Sequence, residues 1–189
     1  MQIFDLTLLF TLRYVEPPVW RRATVSDDFI LGDLHHVIQE LFDWDDAHLW
    51  QFEFGNAIYS PDDDVDDIAP GGKTYGNADE TVLSDALGRR KKFLYTYDFG
   101  DNWQVDIMVE RRVAASKVTI PVCLDGARAS PPDDIGGPPG YANFCEAMAD
   151  PKHPEHEDMK EWIDGEWDAE EFDLKAINRE LKRGFAGLK

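Results

Sequence analysis

Phe4, Leu6, Leu8, Phe10, Leu12 and Tyr14 are apolar and two residues apart, with Asp5, Thr7, Thr11 and Arg13 between them. Side chains along a strand alternate between faces, so this pattern predicts a strand with one buried face. It constrains the chain more than any other feature, because so apolar a face has to be covered by a second layer. Pro17-Pro18 interrupts the alternation and Val19 to Val25 resumes it. The two stretches predict a hairpin closed through Glu16 to Pro18, with Trp20 and Arg21-Arg22 opening the second strand.

Leu34, Val37, Ile38, Leu41 and Phe42 fall on one helical stripe, predicting a helix from Leu31 to Phe42. Trp50, Phe52 and Phe54 alternate within a strand expected over His48 to Phe54. The Gly55-Asn56 turn signal then leads to a partner strand, Ala57 to Ser60. Strand, strand, helix, strand, strand is the order of a β-grasp, or ubiquitin-like, core. Pro61 to Gly76 reads as a loop and Thr81 to Leu87 as a short helical turn. Phe93, Tyr95, Tyr97 and Phe99 alternate, as do Trp103, Val105, Ile107 and Val109, so a further hairpin turns at Gly100-Asp101-Asn102. A short strand is expected over Val118 to Cys123.

Ser130 to Gly140 holds four prolines and three glycines and reads as a loop. Tyr141, Phe144, Cys145 and Met148 form a helical stripe ending before Pro151, and Glu155 to Ile163 predicts another short helix. Asp168 with Glu171 has capping-box spacing ahead of the stripe Leu174, Ile177 and Leu181, which stops at Gly184. The fold class expected is therefore α+β: a β-grasp mixed sheet with an added hairpin and a C-terminal helical segment. No linker divides the chain. One domain is expected over 1–189, with a sheet-rich core at 1–123 and the loop and helices of 124–189 packed on it.

The 189 residues are 43% hydrophobic and 12% aromatic, enough for a sizeable core. Net charge is -19, from 38 acidic and 19 basic residues. Such a surface repels phosphate backbones and anionic membranes, so direct nucleic-acid binding and membrane attachment are not expected. Two cysteines, Cys123 and Cys145, make no disulfide framework, and the apolar stretch Ile3 to Leu12 is interrupted by Asp5 and Thr7 with no basic n-region before it, so it does not read as a signal peptide; a cytoplasmic protein is expected. Asp62, Asp63, Asp64, Asp66 and Asp67 suggest calcium, but an EF-hand loop counted from Asp62 would need Gly and Glu where Asp67 and Lys73 stand.

Asp98-Phe99-Gly100 lacks every other part of a kinase and reads as a tight corner, with Gly100 permitting positive φ and Asp98 and Asp101 accepting backbone hydrogen bonds. Asp98 and Asp101 are also candidates to meet Asp133 and Asp134 in one pocket. Clustered carboxylates there would suit magnesium or manganese. His48 opens a strand beside Trp50, where a side chain can face a groove. His153-Pro154-Glu155-His156 has only a superficial metal spacing, and Cys123 would make a third ligand at most.

Several segments together resemble the plasmid pRiA4b ORF-3-like family. They are Pro17 to Arg22, Leu34-His35-His36-Val37-Ile38-Gln39, Trp44-Asp45-Asp46-Ala47-His48-Leu49, Tyr97 to Trp103, Pro121 to Gly126, Pro131 to Gly137 and Asp150 to His156. The resemblance runs in order over nearly the whole chain. It implies one compact α+β domain and a link to mobile elements, since some relatives are labelled TnpR passengers of insertion sequences or carry a fused DNA-binding domain. No serine-recombinase pattern is visible here. Many relatives carry cysteines where this chain has Ser130 and Ile135, so a family-type thiolate zinc site with Cys123 is not expected.

The function expected is a non-catalytic cytoplasmic binding or interaction module for a small molecule or a protein partner. The ligand-binding candidates are His48, Trp50, Asp98, Asp101, Trp103, Asp125, Asp133, Asp134 and Tyr141. No catalytic residue, metal ligand or cofactor is assigned, although a divalent metal is compatible with the aspartates. The alternative is a metal-dependent hydrolase acting on a phosphorylated or nucleotide substrate through Asp98, Asp101, Asp133 and Asp134.

Overall fold

The computed structural model describes residues 2–61, 72–164 and 167–187. The five aspartates between 62 and 67 lie outside the described residues. The alternating segment forms β1 (Ile3–Leu12), which pairs antiparallel with β2 (Trp20–Ser26) in the expected hairpin. Leu6, Leu8, Phe10 and Leu12 are buried, as the period of two requires. Helix α1 (Leu31–Phe42) follows and contributes Leu34, Val37, Ile38, Leu41 and Phe42 to the core. Its first turn is held by the Asp33 carboxylate, which accepts from the Ile30 N–H, and Asp43 ends it in the left-handed region with φ 53°.

The next elements are β3 (Trp50–Phe54), β4 (Ala57–Ser60), β5 (Thr74–Asn77), α2 (Leu83–Leu87), β6 (Lys92–Tyr97), β7 (Trp103–Ala115) and β8 (Val122–Ala127). The eight strands of the described residues form one sheet in the order β5-β4-β3-β6-β7-β1-β2-β8. Every pairing is antiparallel except β4 with β5. The fold is thus α+β with a mostly antiparallel sheet. The β6–β7 hairpin is not an addition at an edge. It sits at the centre of the sheet and joins the β5-β4-β3 half to the β1-β2-β8 half. Strand β7 runs past Val109 to Ala115, where alternation fails in the sequence but Ile3 to Thr7 supply a paired partner.

Three expectations about loops and strands are corrected. Thr74 to Gly76, the end of the expected loop, belongs to β5; a Cβ on Gly76 would stand 2.7 Å from the Tyr59 ring, so the glycine that hides the strand signal is what lets the two strands approach. The strand near Cys123 starts at Val122, after Pro121, and not at Val118. Helix α3 (Gly137–Ala149) begins inside the expected 130–140 loop, with Pro138-Pro139 in its first turn, where a missing N–H is harmless.

Helix α4 (His156–Trp162) precedes α5 (Leu174–Gly184). The cap of α5 is Asp173, whose carboxylate accepts from Lys175 N and Ala176 N at 2.9 Å. Asp168, expected in that role, instead accepts from Glu170 N. Asn178 on α5 donates to Cys123 O and accepts from Cys123 N, both at 2.9 Å. Its amide thus satisfies the outer edge of β8 as another strand would. One hydrophobic cluster draws on residues from Leu6 to Phe185.

Candidate functional site

The corner between β6 and β7 is built from short-range bonds. Asp98 takes a left-handed conformation (φ 52°), its Oδ1 accepts from Gly100 N at 2.9 Å, and its N–H donates to Leu49 O. Asp and Asn tolerate that region better than bulkier residues. The bond to Leu49 fixes the corner against the segment before β3, which carries His48. Ala47 N donates to the Tyr97 hydroxyl at 3.1 Å, and the His48 ring meets the Tyr97 ring edge-on at 5.7 Å. Burial pushes the Tyr97 phenol up to about 12, so it stays protonated.

The loop before α3 is pinned to both segments. Asp133 Oδ2 accepts from Asp45 N at 2.7 Å, and Pro131 O accepts from Trp44 Nε1 at 3.1 Å. Asp101 Oδ2 accepts from Gly136 N at 2.9 Å. Gly137 lies so close to the corner that a Cβ there would stand 2.3 Å from Asp101 O. Burial pushes the Asp133 carboxyl above its usual range, opposed by the bond from Asp45 N.

These ties bring Asp134, itself left-handed with φ 58°, up to His48. His48 Nε2 stands 3.4 Å from Asp134 Oδ1 and 3.9 Å from Asp98 Oδ2, and the three ligand atoms lie within 4.8 Å of one another. The longer distance exceeds hydrogen-bonding range and the shorter is at its limit. Nitrogen and oxygen ligands bonded to one ion at roughly 2.0–2.2 Å stand roughly 3.0–3.6 Å apart. The 3.4 Å separation lies within that span and the 3.9 Å separation beyond it.

Other expected site residues are elsewhere. Asp101 and Asp133 commit carboxylate oxygens to backbone N–H groups, so the four-aspartate cluster does not form among the described residues. Trp103 is 1% exposed and Tyr141 2% exposed; both are core residues, with Tyr141 donating its hydroxyl to Ala129 O. Trp50 is buried beneath His35, ring on ring at 4.0 Å. Asp125 lies on β8, 3.6 Å from Arg22, and four strand spacings, roughly 19 Å, separate β8 from β6. It misses the corner because β8 starts late and carries Asp125 inside the strand. Cys123, His153 and His156 form no ligand group among the described residues; burial pushes the Cys123 thiol up to about 11, and His156 Nδ1 contacts Ala147 O.

Two buried polar arrangements carry no periodicity and were not read from the sequence. Gln39 Nε2 donates to Tyr95 Oη, the phenol O–H donates to His35 Nδ1 at 2.7 Å, His35 Nε2–H donates to Asp46 Oδ1 at 2.6 Å, and Asp46 N donates back to Gln39 Oε1. This closed ring fixes a neutral His35, and burial pushes its pKa down to about 4. His36 Nδ1 stands 3.4 Å from Asp46 Oδ2, but the His35 to Asp46 contact is a complete hydrogen bond, and every polar atom of the ring has its partner. Arg21, 3% exposed, donates to Leu41 O, Trp20 O, Ala127 O, Arg128 O and Ser130 Oγ, so Ser130 completes the shell of a guanidinium with no carboxylate partner among the described residues. The signal for the first was the Leu34 to Gln39 motif; for the second, Arg21 in a buried register of β2.

Residues 4–176 match the family described as plasmid pRiA4b ORF-3-like protein. The chain belongs to this family. It is 34% identical over 174 residues to an uncharacterized protein, y4hQ, of Sinorhizobium fredii, covering 91% of this chain and 88% of that one. It is also similar to the crystal structure of a protein of unknown function, MM3350, from Methanosarcina mazei Go1, with 36% identity and a TM-score of 0.78 over 93% of this chain and 98% of the other. The family and these relatives bring no activity with them. Among the described residues, no helix is long and apolar enough to cross a membrane.

Proposed function

We propose that the protein is a binding module that holds one divalent cation with His48, Asp98 and Asp134 and takes up an anionic ligand through it. The observation that carries this reading is His48 Nε2, 3.4 and 3.9 Å from two carboxylates that the flanking loops aim at it. One imidazole nitrogen and two carboxylate oxygens suit manganese or zinc. Three protein ligands leave further positions open, on the side where the Asp134 side chain is 76% exposed. A chain with net charge -19 repels free anions, so a bound cation would supply the local attraction that its own surface lacks.

A second reading, a metal-dependent hydrolase, draws support from Asp133. Its Oδ2 is held at the same corner by the Asp45 N–H at 2.7 Å, one residue from Asp134. Hydrolysis of p-nitrophenyl phosphate that needs added Mn2+ and vanishes in Asp133→Asn would favour it over pure binding.

The order β1, β2, α1, β3, β4 supports a β-grasp-like core into which the central β6–β7 hairpin is inserted. The shared core from Leu6 to Phe185 supports one domain over 1–189. Two free cysteines support a cytoplasmic location, and the net charge supports partners other than nucleic acid, including for any role beside a mobile element. The test is calorimetric titration with Mn2+, Zn2+ and Mg2+. Saturable binding of Mn2+ or Zn2+ that is lost in His48→Ala supports the reading. Binding that is absent, or unchanged in that variant, removes it.

A further inference from the structure

A cavity of about 1320 Å³ opens between α1, the loop at 129–132 and the stretch from Ile163 through α5. It exceeds the roughly 300–1,000 Å³ typical of small-molecule sites, and none of His48, Asp98 and Asp134 lines it. Ile163, Trp167, Phe172 and Ile177 line it and are half-buried, so each packs against the core yet keeps apolar surface uncovered. Trp167 is held edge-on by Phe144 at 4.7 Å and Tyr141 at 5.9 Å, and Phe172 lies over the Arg21 guanidinium. Aromatic surface fixed in this way loses little freedom when another chain packs on it.

The charge of the lining is one-sided. Eight carboxylates stand against three guanidinium groups, and the three are already engaged. Arg179 and Arg183 both pair with Glu180, at 3.0 and 2.6 Å. Arg21 has all five N–H donors taken, by four carbonyls and Ser130 Oγ, so it has none left for an incoming anion. Glu40, Asp43, Asp45 and Glu171 have no side-chain ion pair or hydrogen bond among the described residues. Burial, with Glu180 nearby, pushes the Glu40 carboxyl above its usual range, which an incoming cation would reverse.

We propose that this groove docks a basic amphipathic segment of a partner protein. The apolar side chains of the segment pack on Ile163, Trp167, Phe172 and Ile177. Its Lys or Arg side chains reach Glu40, Asp43, Asp45 and Glu171. Amphipathic segments enter grooves in this mode, and complementary charge sets their specificity. The groove is separate from the cation corner, and its occupancy does not depend on a metal.

The experiment is fluorescence anisotropy with a labelled amphipathic peptide of Leu and Lys, its Leu and Glu counterpart, and spermine as competitor. Salt is held at about 0.15 M, where exposed charges more than roughly 8 Å apart are screened. The Lys peptide is expected to bind and the Glu peptide not. Glu40→Lys with Glu171→Lys should weaken binding at least roughly tenfold, by setting like charges together. The charge-matched control, Asp28→Lys with Glu80→Lys, is exposed and outside the groove and should change it less than roughly twofold. Trp167→Ala, with its melting temperature checked, should weaken binding as well. Equal losses in the two charge variants would trace the attraction to the net charge of -19 and overturn the proposal. So would a Lys peptide that does not bind, or a folded Trp167→Ala with unchanged affinity. Spermine that competes as well as the unlabelled peptide would overturn it too, making the occupant a small polycation.

Discussion

His48 Nε2 and Asp134 Oδ1 stand 3.4 Å apart although 86 residues separate them in the chain, and neither belongs to a helix or strand. Their meeting depends on three backbone donors, from Asp45, Gly136 and Gly100, each taken by an aspartate of the same corner. The aspartates that looked alike in the sequence divide by what they face: Asp101 and Asp133 hold backbone N–H groups, Asp134 faces His48, and Asp98 does both.

Holding a backbone group and facing His48 should be separable roles. Asp101→Ala removes the acceptor for Gly136 N and frees the loop that carries Asp134. Losing a hydrogen bond with a charged acceptor costs about 1.5–3 kcal/mol. We expect Mn2+ affinity to fall at least roughly tenfold, the equivalent of 1.4 kcal/mol, although Asp101 is not a ligand. Unchanged affinity would show that the loop holds its position without this bond.

Gly137→Ala should be more damaging than its size suggests. The added Cβ would meet Asp101 O at 2.3 Å, and φ is 67°. Left-handed strain plus the clash predicts a loss of about 1–3 kcal/mol. A urea midpoint equal to that of the parent would contradict the close approach.

The His35 ring makes stability pH-dependent. The folded His35 has a pKa near 4, below the usual value of about 6.5 in the unfolded chain. Below about 6.5 the unfolded state binds the proton and the folded state does not, so stability falls as pH drops from about 6.5 to about 4. The full loss is about 3 kcal/mol. Urea midpoints across that range should fall more steeply for the parent than for His35→Gln; parallel curves would contradict the neutral, buried assignment.

Asn178→Ala should expose the β8 edge at Cys123. The two lost hydrogen bonds predict about 1–3 kcal/mol of destabilisation. Strand-edge association should rise as well. Light scattering that stays monomeric at high concentration would contradict the edge-blocking role.

Period-two and helical patterns made the hairpins β1–β2 and β6–β7 and the helix α1 legible, because each buries one repeating face. They hid β5, where Gly76 is required by the Tyr59 ring and weakens any strand pattern, and the start of α3, where prolines that read as loop suit a first helical turn. Sheet order was not legible either. Nothing local says that β7 pairs with β1 across more than ninety residues, from Leu12 opposite Val105 to Ile3 opposite Ala115. Within the site, His48, Asp98 and Asp134 stood out as polar residues in turns. Trp50, Trp103 and Tyr141 stood out equally, but their rings are needed by the core, and sequence alone does not tell an aromatic that binds from one that packs.

The most direct measurement is a Mn2+ binding isotherm for the parent, His48→Ala and Asp134→Asn, each first checked for an unchanged melting temperature without metal. The account predicts one equivalent of Mn2+ in the parent and a loss of at least roughly tenfold in affinity in both variants, the equivalent of 1.4 kcal/mol per ligand. No binding in the parent, or equal binding in all three, would contradict it.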